Sequence, residues 1–253
     1  EKGWKTYWRS PGEGGIAPAI AWKTPLDVTW HWPTPQRFDV AGITTQGYHG
    51  NVSFPLEIHG PVPQILSGVL TLSTCSNVCI LTDYPFALDM TTAAGDGFGY
   101  DFTRALGTLP RPDGLTSRLT SAYGGGKLTV TAVREAGWRQ PSLFIDSMEN
   151  VDFGKPTFSL NGETLVAQLP VTDSWGEAAP DLSGKRLSLV LADSGLAQES
   201  TSIVSEGLPA QAPALWWVLL MALAGGLILN VMPCVLPVLA MKLGSLVQTG
   251  TRE

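Results

Sequence analysis

Clusters of lysine and arginine are missing from this sequence of 253 residues, in which 22 acidic residues outnumber 16 basic ones. The net charge is -6 at pH 7, and nucleic-acid binding is disfavoured because phosphate contacts need clustered cations. The sequence also lacks a Ser/His/Asp arrangement, a phosphate-binding loop and a paired-carboxylate signature. Its three histidines, His31, His49 and His59, are scattered and are weak evidence for a metal site.

The sequence begins at Glu1, with neither a starting methionine nor a basic leader. We expect a mature or trimmed product, so export cannot be inferred from a signal peptide. The chain ends at Glu253, soon after an apolar segment. We expect that it is cut from a longer protein.

Charge is missing from one long segment, since no charged residue occurs between Glu206 and Lys242. Residues 214–229 are apolar, and two tryptophans near their start are typical of a membrane interface. A transmembrane helix needs about 20 such residues. Acidic residues precede the segment and basic residues follow it, so the positive-inside rule predicts a cytoplasmic C-terminal side and an external N-terminal part.

The same segment holds Cys234 between two prolines, Pro233 and Pro237. Proline removes a helix hydrogen bond, and irregular backbone persists in a bilayer only where it packs on protein or lines a cavity. We therefore predict a transmembrane helix broken at Pro233 and Pro237, within a larger membrane unit built around a reactive thiol. The alternative is an ordinary anchor whose helix ends at Pro233.

Scattered glycine (28) and proline (19) indicate many turns in an all-β chain. Residues 68–73 alternate between apolar and polar and run into Cys75, and an apolar pattern resumes at residues 86–90. Residues 97–106 are predicted to form one short helix. Residues 113–126 are predicted to be a linker or a first edge, with the three glycines of 124–126 as its flexible point.

A second set of strands follows, and the pair Asn161-Gly162 predicts a hairpin between two of them. The predicted strands are residues 127–133, 142–145, 157–160, 165–170 and 186–192. Such spacing predicts a mainly β fold of two β-sandwich domains, residues 1–113 and 114–208. A transmembrane segment is predicted within residues 209–253.

Cys75 and Cys79 form a C-x3-C pair between two predicted strands. Three intervening residues allow the separation that a disulfide requires, and an oxidising exterior would oxidise the pair. Taken alone, a structural staple and a redox centre are equally good interpretations. The redox centre is favoured because a disulfide across so short a loop constrains the unfolded chain very little. In addition, the unpaired Cys234 would suit an electron route by thiol–disulfide exchange.

The run of residues 230–239 with Lys242 resembles the first transmembrane segment of the DsbD/ScsB family of thiol:disulfide transporters. Parts of the first domain resemble the periplasmic α region of the ScsB branch, namely residues 3–12, Trp32-Pro33, Arg37-Phe38 and the region of Cys75 and Cys79. The C-x3-C spacing is closer to the ScsB branch than to DsbD itself. The second β domain matches only in general pattern.

This resemblance implies immunoglobulin-like domains in the periplasm, attached to a domain in the bacterial inner membrane. That membrane domain would draw electrons from cytoplasmic thioredoxin, and the module would reduce periplasmic thioredoxin-like proteins. By position, Cys79 would join the partner in a mixed disulfide, Cys75 would resolve it, and Cys234 would be the first of two membrane cysteines. No cofactor is implied beyond the redox-active cysteines.

Two hypotheses of different classes remain open. The first is a redox relay, in which Cys75 and Cys79 exchange disulfides. The second is a membrane-anchored β-sandwich that binds copper or a protein partner, with a disulfide that is only structural. The reduction potential separates them, since structural disulfides typically lie below about -300 mV.

Overall fold

The computed structural model describes residues 3–12, 14–40, 43–76, 78–178 and 180–207, together with residues 220, 223 and 226. The chain divides into two units, Glu1–Gly207 and Leu208–Glu253. The assigned strands and one short helix all lie in the first unit. The prediction of a mainly β fold is confirmed.

The first group of strands carries both cysteines of the C-x3-C pair. Its elements are β1 Lys5–Gly12, β2 Ala19–Trp22, β3 Asp27–Trp30, β4 Gln36–Val40, β5 Ile43–His49, β6 Leu56–His59, β7 Ile65–Cys75, β8 Cys79–Asp89 and the helix α1 Phe98–Leu106. One sheet has the order β2-β7-β1-β5-β4, with β8 paired to β7, while β3 and β6 pair with each other. The predicted strands around the cysteines and the predicted short helix are confirmed.

The second group of strands forms a larger sheet. Its strands are β9 Arg118–Gly124, β10 Lys127–Val133, β11 Pro141–Ile145, β12 Asp152–Phe153, β13 Thr157–Asn161, β14 Thr164–Thr172, β15 Arg186–Asp193 and β16 Leu196–Glu206. Their order is β11-β15-β16-β9-β10-β14-β12, with β13 paired to β14. Every strand predicted for this half is confirmed.

Alternating burial explains why these segments form strands. In β10, Leu128 and Val130 are buried while Thr129 between them is less so, and these two residues pair with Leu169 and Ala167 of β14. Successive side chains of a strand point to opposite faces, so this pattern buries one face of the hairpin. The core of the second group is built from these positions and their counterparts in β11 and β15.

Two predicted turns have different outcomes. The hairpin at Asn161 is confirmed, with Asn161 paired to Thr164 and residues 162–163 as the turn. The prediction of a linker or first edge at residues 113–126 is wrong for residues 118–124, which form β9. Gly125 and Gly126 form the tight turn between β9 and β10, with φ of 59° and 71°, a conformation that glycine adopts at little cost. β9 itself lies inside the sheet, between β16 and β10.

A small apolar core joins the sheet that contains β1 to the larger sheet of the second group. The buried indole of Trp8 packs edge-to-face on Phe144 at 6.2 Å between ring centroids, and Tyr48 and Val190 complete the cluster. Beside it, Arg9 contacts Asp146 at 2.9 Å. The division into domains at residue 113 stays a prediction, and side chains from both sides of that boundary pack together.

The predicted membrane segment lies outside the described residues, except for residues 220, 223 and 226. This applies to Cys234 and to the helix break predicted at Pro233 and Pro237. In the part of the chain that the structure describes, no helix has the length and apolar character needed to span a membrane. The transmembrane segment therefore stays a prediction.

Candidate functional site

The candidate site lies at the tip of the hairpin formed by β7 and β8. These strands pair from Ile65 and Asp89 to Cys75 and Cys79, so the two cysteines are the last pair of the ladder. Their Cα atoms are 4.1 Å apart, and the sulfurs are joined in a disulfide. The expectation that the C-x3-C pair oxidises is confirmed.

The two cysteines differ in exposure. Cys75 is only 3% exposed, because β7 is paired on its other side with β1, where Lys5 lies opposite Cys75. Cys79 is exposed, since β8 has no second neighbour among the described strands. An incoming protein can therefore reach Cys79 and not Cys75.

Tyr7 is the side chain that touches the sulfurs from the neighbouring strand. Its hydroxyl lies 2.8 Å from Sγ of Cys75 and 3.6 Å from Sγ of Cys79. Tyr7 is two residues beyond Lys5 on β1, so it lies on the same face as Cys75. Disulfide sulfurs carry no hydrogen, so the phenol donates. Burial raises the pKa of Tyr7, which keeps the hydroxyl protonated at neutral pH.

Two glycines make room for Tyr7. Gly47 of β5 pairs with Tyr7, and a Cβ at Gly47 would lie 2.0 Å from the carbonyl oxygen of Thr6. A Cβ at Gly15 would lie 2.7 Å from Cδ1 of the Tyr7 ring. Larger residues at Gly47 and Gly15 would therefore clash with the backbone of β1 and with the Tyr7 ring.

The lysine opposite Cys75 contacts an aromatic ring on another strand. Lys5 lies opposite Cys75 in the ladder, and its Nζ is 5.0 Å from the centroid of the Phe38 ring. Phe38 belongs to β4, on the opposite side of β1 from β7. A phenol, and not an ammonium group, is thus placed on the buried sulfur.

Exposed apolar side chains flank Cys79 along the chain. Val78, Ile80 and Leu81 are 67%, 46% and 57% exposed, and we call them the apolar rim. Exposed apolar patches commonly mark protein–protein contact sites. The rim therefore lies where a protein partner would approach Cys79.

Two of the three histidines contact a glutamate and not the disulfide. His31 and His59 both lie near Glu57, with His31 Nε2 at 3.0 Å from Glu57 Oε2 and His59 Nδ1 at 4.0 Å from Glu57 Oε1. The side chains of His31, His59 and Glu57 are exposed to solvent. Within the described ranges, no group of three or more histidine, cysteine or acidic residues could hold a metal ion.

Of the three predicted site residues, the structure brings Cys75 and Cys79 together, while Cys234 lies outside the described residues. Tyr7 was not predicted as a site residue. It is 68 positions away from Cys75 along the chain, and only the pairing of β1 with β7 brings it to the sulfur. The sequence carries no local signal of this contact.

An accessible sulfur bonded to a shielded one suits thiol–disulfide exchange, in which a partner forms a mixed disulfide with one cysteine and the other resolves it. The site therefore has the features of a thiol:disulfide exchange protein built on a β scaffold. Residues 1–90 match the family model described as thiol:disulfide interchange protein DsbD, N-terminal. Residues 108–207 match a domain of unknown function, DUF8393.

A solved structure supports the same assignment. The N-terminal periplasmic domain of ScsB from Proteus mirabilis is 45% identical, with a TM-score of 0.78, over 82% of this chain and 85% of that one. No curated protein matches the chain. The chain belongs to the DsbD/ScsB family of thiol:disulfide interchange proteins, and the predicted immunoglobulin-like fold is confirmed.

Proposed function

We propose that this chain is the periplasmic exchange module of a disulfide reductase in the bacterial inner membrane. It passes electrons from its membrane domain to oxidised thioredoxin-like proteins of the periplasm. The observation that carries this proposal is the exposed Cys79 bonded to the buried Cys75 at a hairpin tip. The similarity to a periplasmic domain of ScsB supports the location.

The unequal exposure of the two sulfurs supports different roles for them. In the reduced module, the Cys79 thiolate attacks the disulfide of the partner, forms a mixed disulfide and releases one partner thiolate. The Cys75 thiolate then attacks Sγ of Cys79, which restores the Cys75–Cys79 bond and releases the second partner thiolate. Two electrons pass to the partner, and the module ends oxidised. The 4.1 Å between the Cα atoms leaves the resolving thiol within reach.

Tyr7 assists the second step. When the Cys75–Cys79 bond is reduced, the hydroxyl that lies 2.8 Å from Cys75 Sγ can donate to a thiolate there. Hydrogen bonds to charged groups are stronger than those to neutral ones. Tyr7 therefore favours the thiolate of Cys75, the form that attacks.

The module is reduced again by exchange with the thiols of its membrane domain. Cys234 is proposed as one of two cysteines of that domain, which is supplied with electrons by cytoplasmic thioredoxin. The exchange uses cysteine thiols alone and requires no bound cofactor. The apolar rim beside Cys79 is the proposed contact for both the membrane domain and the partner, which must each reach the same sulfur.

Trapping of the mixed disulfide tests this proposal. The full chain carrying Cys75→Ser is reduced and mixed with a periplasmic extract. Because the resolving thiol is missing, we expect a stable mixed disulfide at Cys79, visible on a non-reducing gel and identified by mass spectrometry. The matched control is Cys79→Ser, which leaves the buried Cys75 thiol and should trap far less.

Two results together would overturn the proposal. One is the absence of any trapped partner with Cys75→Ser. The other is a reduction potential of the Cys75–Cys79 bond below about -300 mV, the range of structural disulfides. Tight binding of Cu(I) by the reduced chain, in the absence of exchange, would instead favour the binding module considered from the sequence.

A further inference from the structure

Helix α1 presents apolar side chains to solvent along one face. Phe98, Phe102 and Leu106 are 58%, 42% and 43% exposed, and residues four positions apart lie on the same face of a helix. We call these three residues the α1 stripe. The two phenylalanine rings stack at 5.8 Å between their centroids. A surface helix normally packs its apolar face against the core, whereas this stripe is exposed.

The charged side chains of α1 lie away from the stripe and contact each other. Asp101 lies 3.1 Å from Arg104, and the Arg104 guanidinium lies 5.8 Å from the centroid of the Tyr100 ring. At 3.6 residues per turn, these three positions are rotated roughly 100–160° from the centre of the stripe. The stripe is therefore an uncharged surface.

The C-terminal end of α1 lies at the same end of the sheet as the disulfide. Ala105 lines a cavity of about 370 Å³ together with His49, the last residue of β5. His49 pairs with Lys5 of β1, and Lys5 pairs with Cys75 of β7. Neighbouring strands are roughly 4.8 Å apart, so three strand spacings, or about 14 Å, separate the end of β5 from Cys79 on β8.

A protein that reaches Cys79 must cover more surface than the apolar rim supplies. Specific interfaces bury roughly 600–800 Å² on each partner, with redox encounters at the lower end of this range. A round footprint of that area has a radius of about 14–16 Å, which matches the distance from Cys79 to the end of β5. A footprint centred on Cys79 therefore reaches the end of the sheet beside which α1 lies.

The surface beside Cys79 has little charge. Residues 76–82 contain no lysine, arginine, aspartate or glutamate. The Asp83 carboxylate that follows them accepts a hydrogen bond from the Thr71 hydroxyl at 2.6 Å. Charged groups at an interface make association sensitive to salt. Docking on the apolar rim and the α1 stripe should therefore depend little on salt.

We propose that the α1 stripe is a second docking contact, in addition to the apolar rim, for the thioredoxin-like protein that exchanges with Cys79. The partner has an apolar, uncharged surface beside its own disulfide, and this surface covers the stripe in the complex. The inference rests on the proposed redox function and deepens it. The position of the stripe beside the exchange site assigns it to the exchange partner and not to a second copy of this chain. The stripe contributes binding only.

Reduction of the oxidised chain by reduced thioredoxin, a defined protein of the partner's fold, tests this inference. The full chain carries Cys234→Ser, so that exchange takes place at the Cys75–Cys79 bond alone. Thiols are alkylated at set times and counted by mass spectrometry, which gives a second-order rate constant. Dithiothreitol serves as the reference reductant, because a small thiol needs no docking surface.

We expect Phe102→Ser to lower the rate constant with thioredoxin about fivefold or more, because buried aromatic contacts carry much of the binding energy of an interface. Leu106→Ser should act in the same direction. The rate constants of both variants with dithiothreitol should stay within about twofold of the parent value, since small thiols make no interface.

Two control substitutions remove exposed aromatic rings outside the stripe. Tyr100→Ser changes another side of the same helix, and Phe158→Ser changes β13 in the second group of strands. Each should change the rate constant with thioredoxin by less than about twofold. Thermal unfolding of every variant checks that the fold is kept. Equal slowing by Tyr100→Ser and Phe102→Ser would contradict a role for the stripe.

The proposed redox function and this inference fail in different ways. If thioredoxin reduces the parent chain no faster than dithiothreitol does, the redox function is contradicted, and the inference with it. If thioredoxin is faster but both stripe variants match the parent, the redox function stands and the inference is wrong. The inference is also wrong if raising salt from about 0.05 to 0.5 M slows the parent about fivefold or more. It is equally wrong if the parent sediments as a dimer that Phe102→Ser dissociates, because a second copy then covers the stripe.

Discussion

At the scale of single residues, the hydroxyl of Tyr7 distinguishes this disulfide from a simple hairpin staple. A staple needs only two opposed cysteines, whereas here a buried phenol is directed at the sulfur of Cys75. The exposed Cys79 and the shielded Cys75 then have unequal access to partners. The proposed exchange chemistry therefore involves Tyr7, Cys75 and Cys79.

Tyr7→Phe removes the donor and leaves the ring in place. We expect the pKa of the Cys75 thiol to rise by about one unit or more, because hydrogen bonds to charged groups contribute roughly 1.5–3 kcal/mol. Alkylation of reduced Cys75 as a function of pH, followed by mass spectrometry of its peptide, measures this pKa. The control is Tyr84→Phe, which changes an exposed tyrosine on β8. An unchanged pKa in Tyr7→Phe would show that the contact has no role in the thiol chemistry.

At the scale of elements, the position of β8 in the sheet explains the exposure of the site. β7 is paired with β1 and β2 on one side and with β8 on the other. Within the described ranges, β8 pairs with β7 alone, so the hairpin presents Cys79 and the apolar rim at an edge. The close approach of β1 and β5 at Gly47 fixes the strand that carries Tyr7.

Gly47→Ala tests this approach. Its added Cβ would lie 2.0 Å from the backbone oxygen of Thr6, which cannot move without disturbing the pairing of β1 with β5. We expect the free energy of unfolding to fall by about 1–3 kcal/mol or more, the usual cost of overpacking. Urea denaturation measures it, with Gly95→Ala as the control because nothing lies within 4 Å of a Cβ there. Equal stability of the two variants would contradict the close approach.

At the scale of the whole first unit, the contact between the two groups of strands combines an apolar core with charged residues. Trp8 and Phe144 pack edge-to-face, and Arg9 bridges Asp146 and Glu199. Burial, together with the charge of Glu199, raises the pKa of Asp146 above its ordinary value, and the hydrogen bond and charge of Arg9 only partly oppose this rise. This carboxyl group therefore binds its proton more tightly in the folded state than in the unfolded one.

The raised pKa of Asp146 predicts a specific pH dependence. Its contribution to stability is complete below the ordinary aspartate pKa of 3.8 and is lost as pH rises through the higher folded-state value. We expect the free energy of unfolding of the parent, minus that of Asp146→Asn, to decrease as pH rises. Urea denaturation of both chains between about pH 3.5 and 6.5 measures this difference. A difference that increases with pH would show that ionic pairing with Arg9 outweighs burial.

Local patterns predicted much of the fold. Alternation over residues 127–133 and 165–170 predicted strands that the structure confirms as β10 and β14, because burial of one face imposes a period of two. The glycines of residues 124–126 led to a wrong prediction of a flexible linker, because a tight turn and a flexible linker have the same composition. Only the pairing of Lys127 with Gly124 identifies the turn.

The sequence by itself determined the cysteine pair, the mainly β fold and the family, because these depend on short spacings and local periodicity. Tertiary structure alone decided which sulfur is exposed, since exposure follows from the edge position of β8. It also brought Tyr7 to Cys75. This contact joins residues far apart in the chain, and strand order, which no local pattern encodes, determines it.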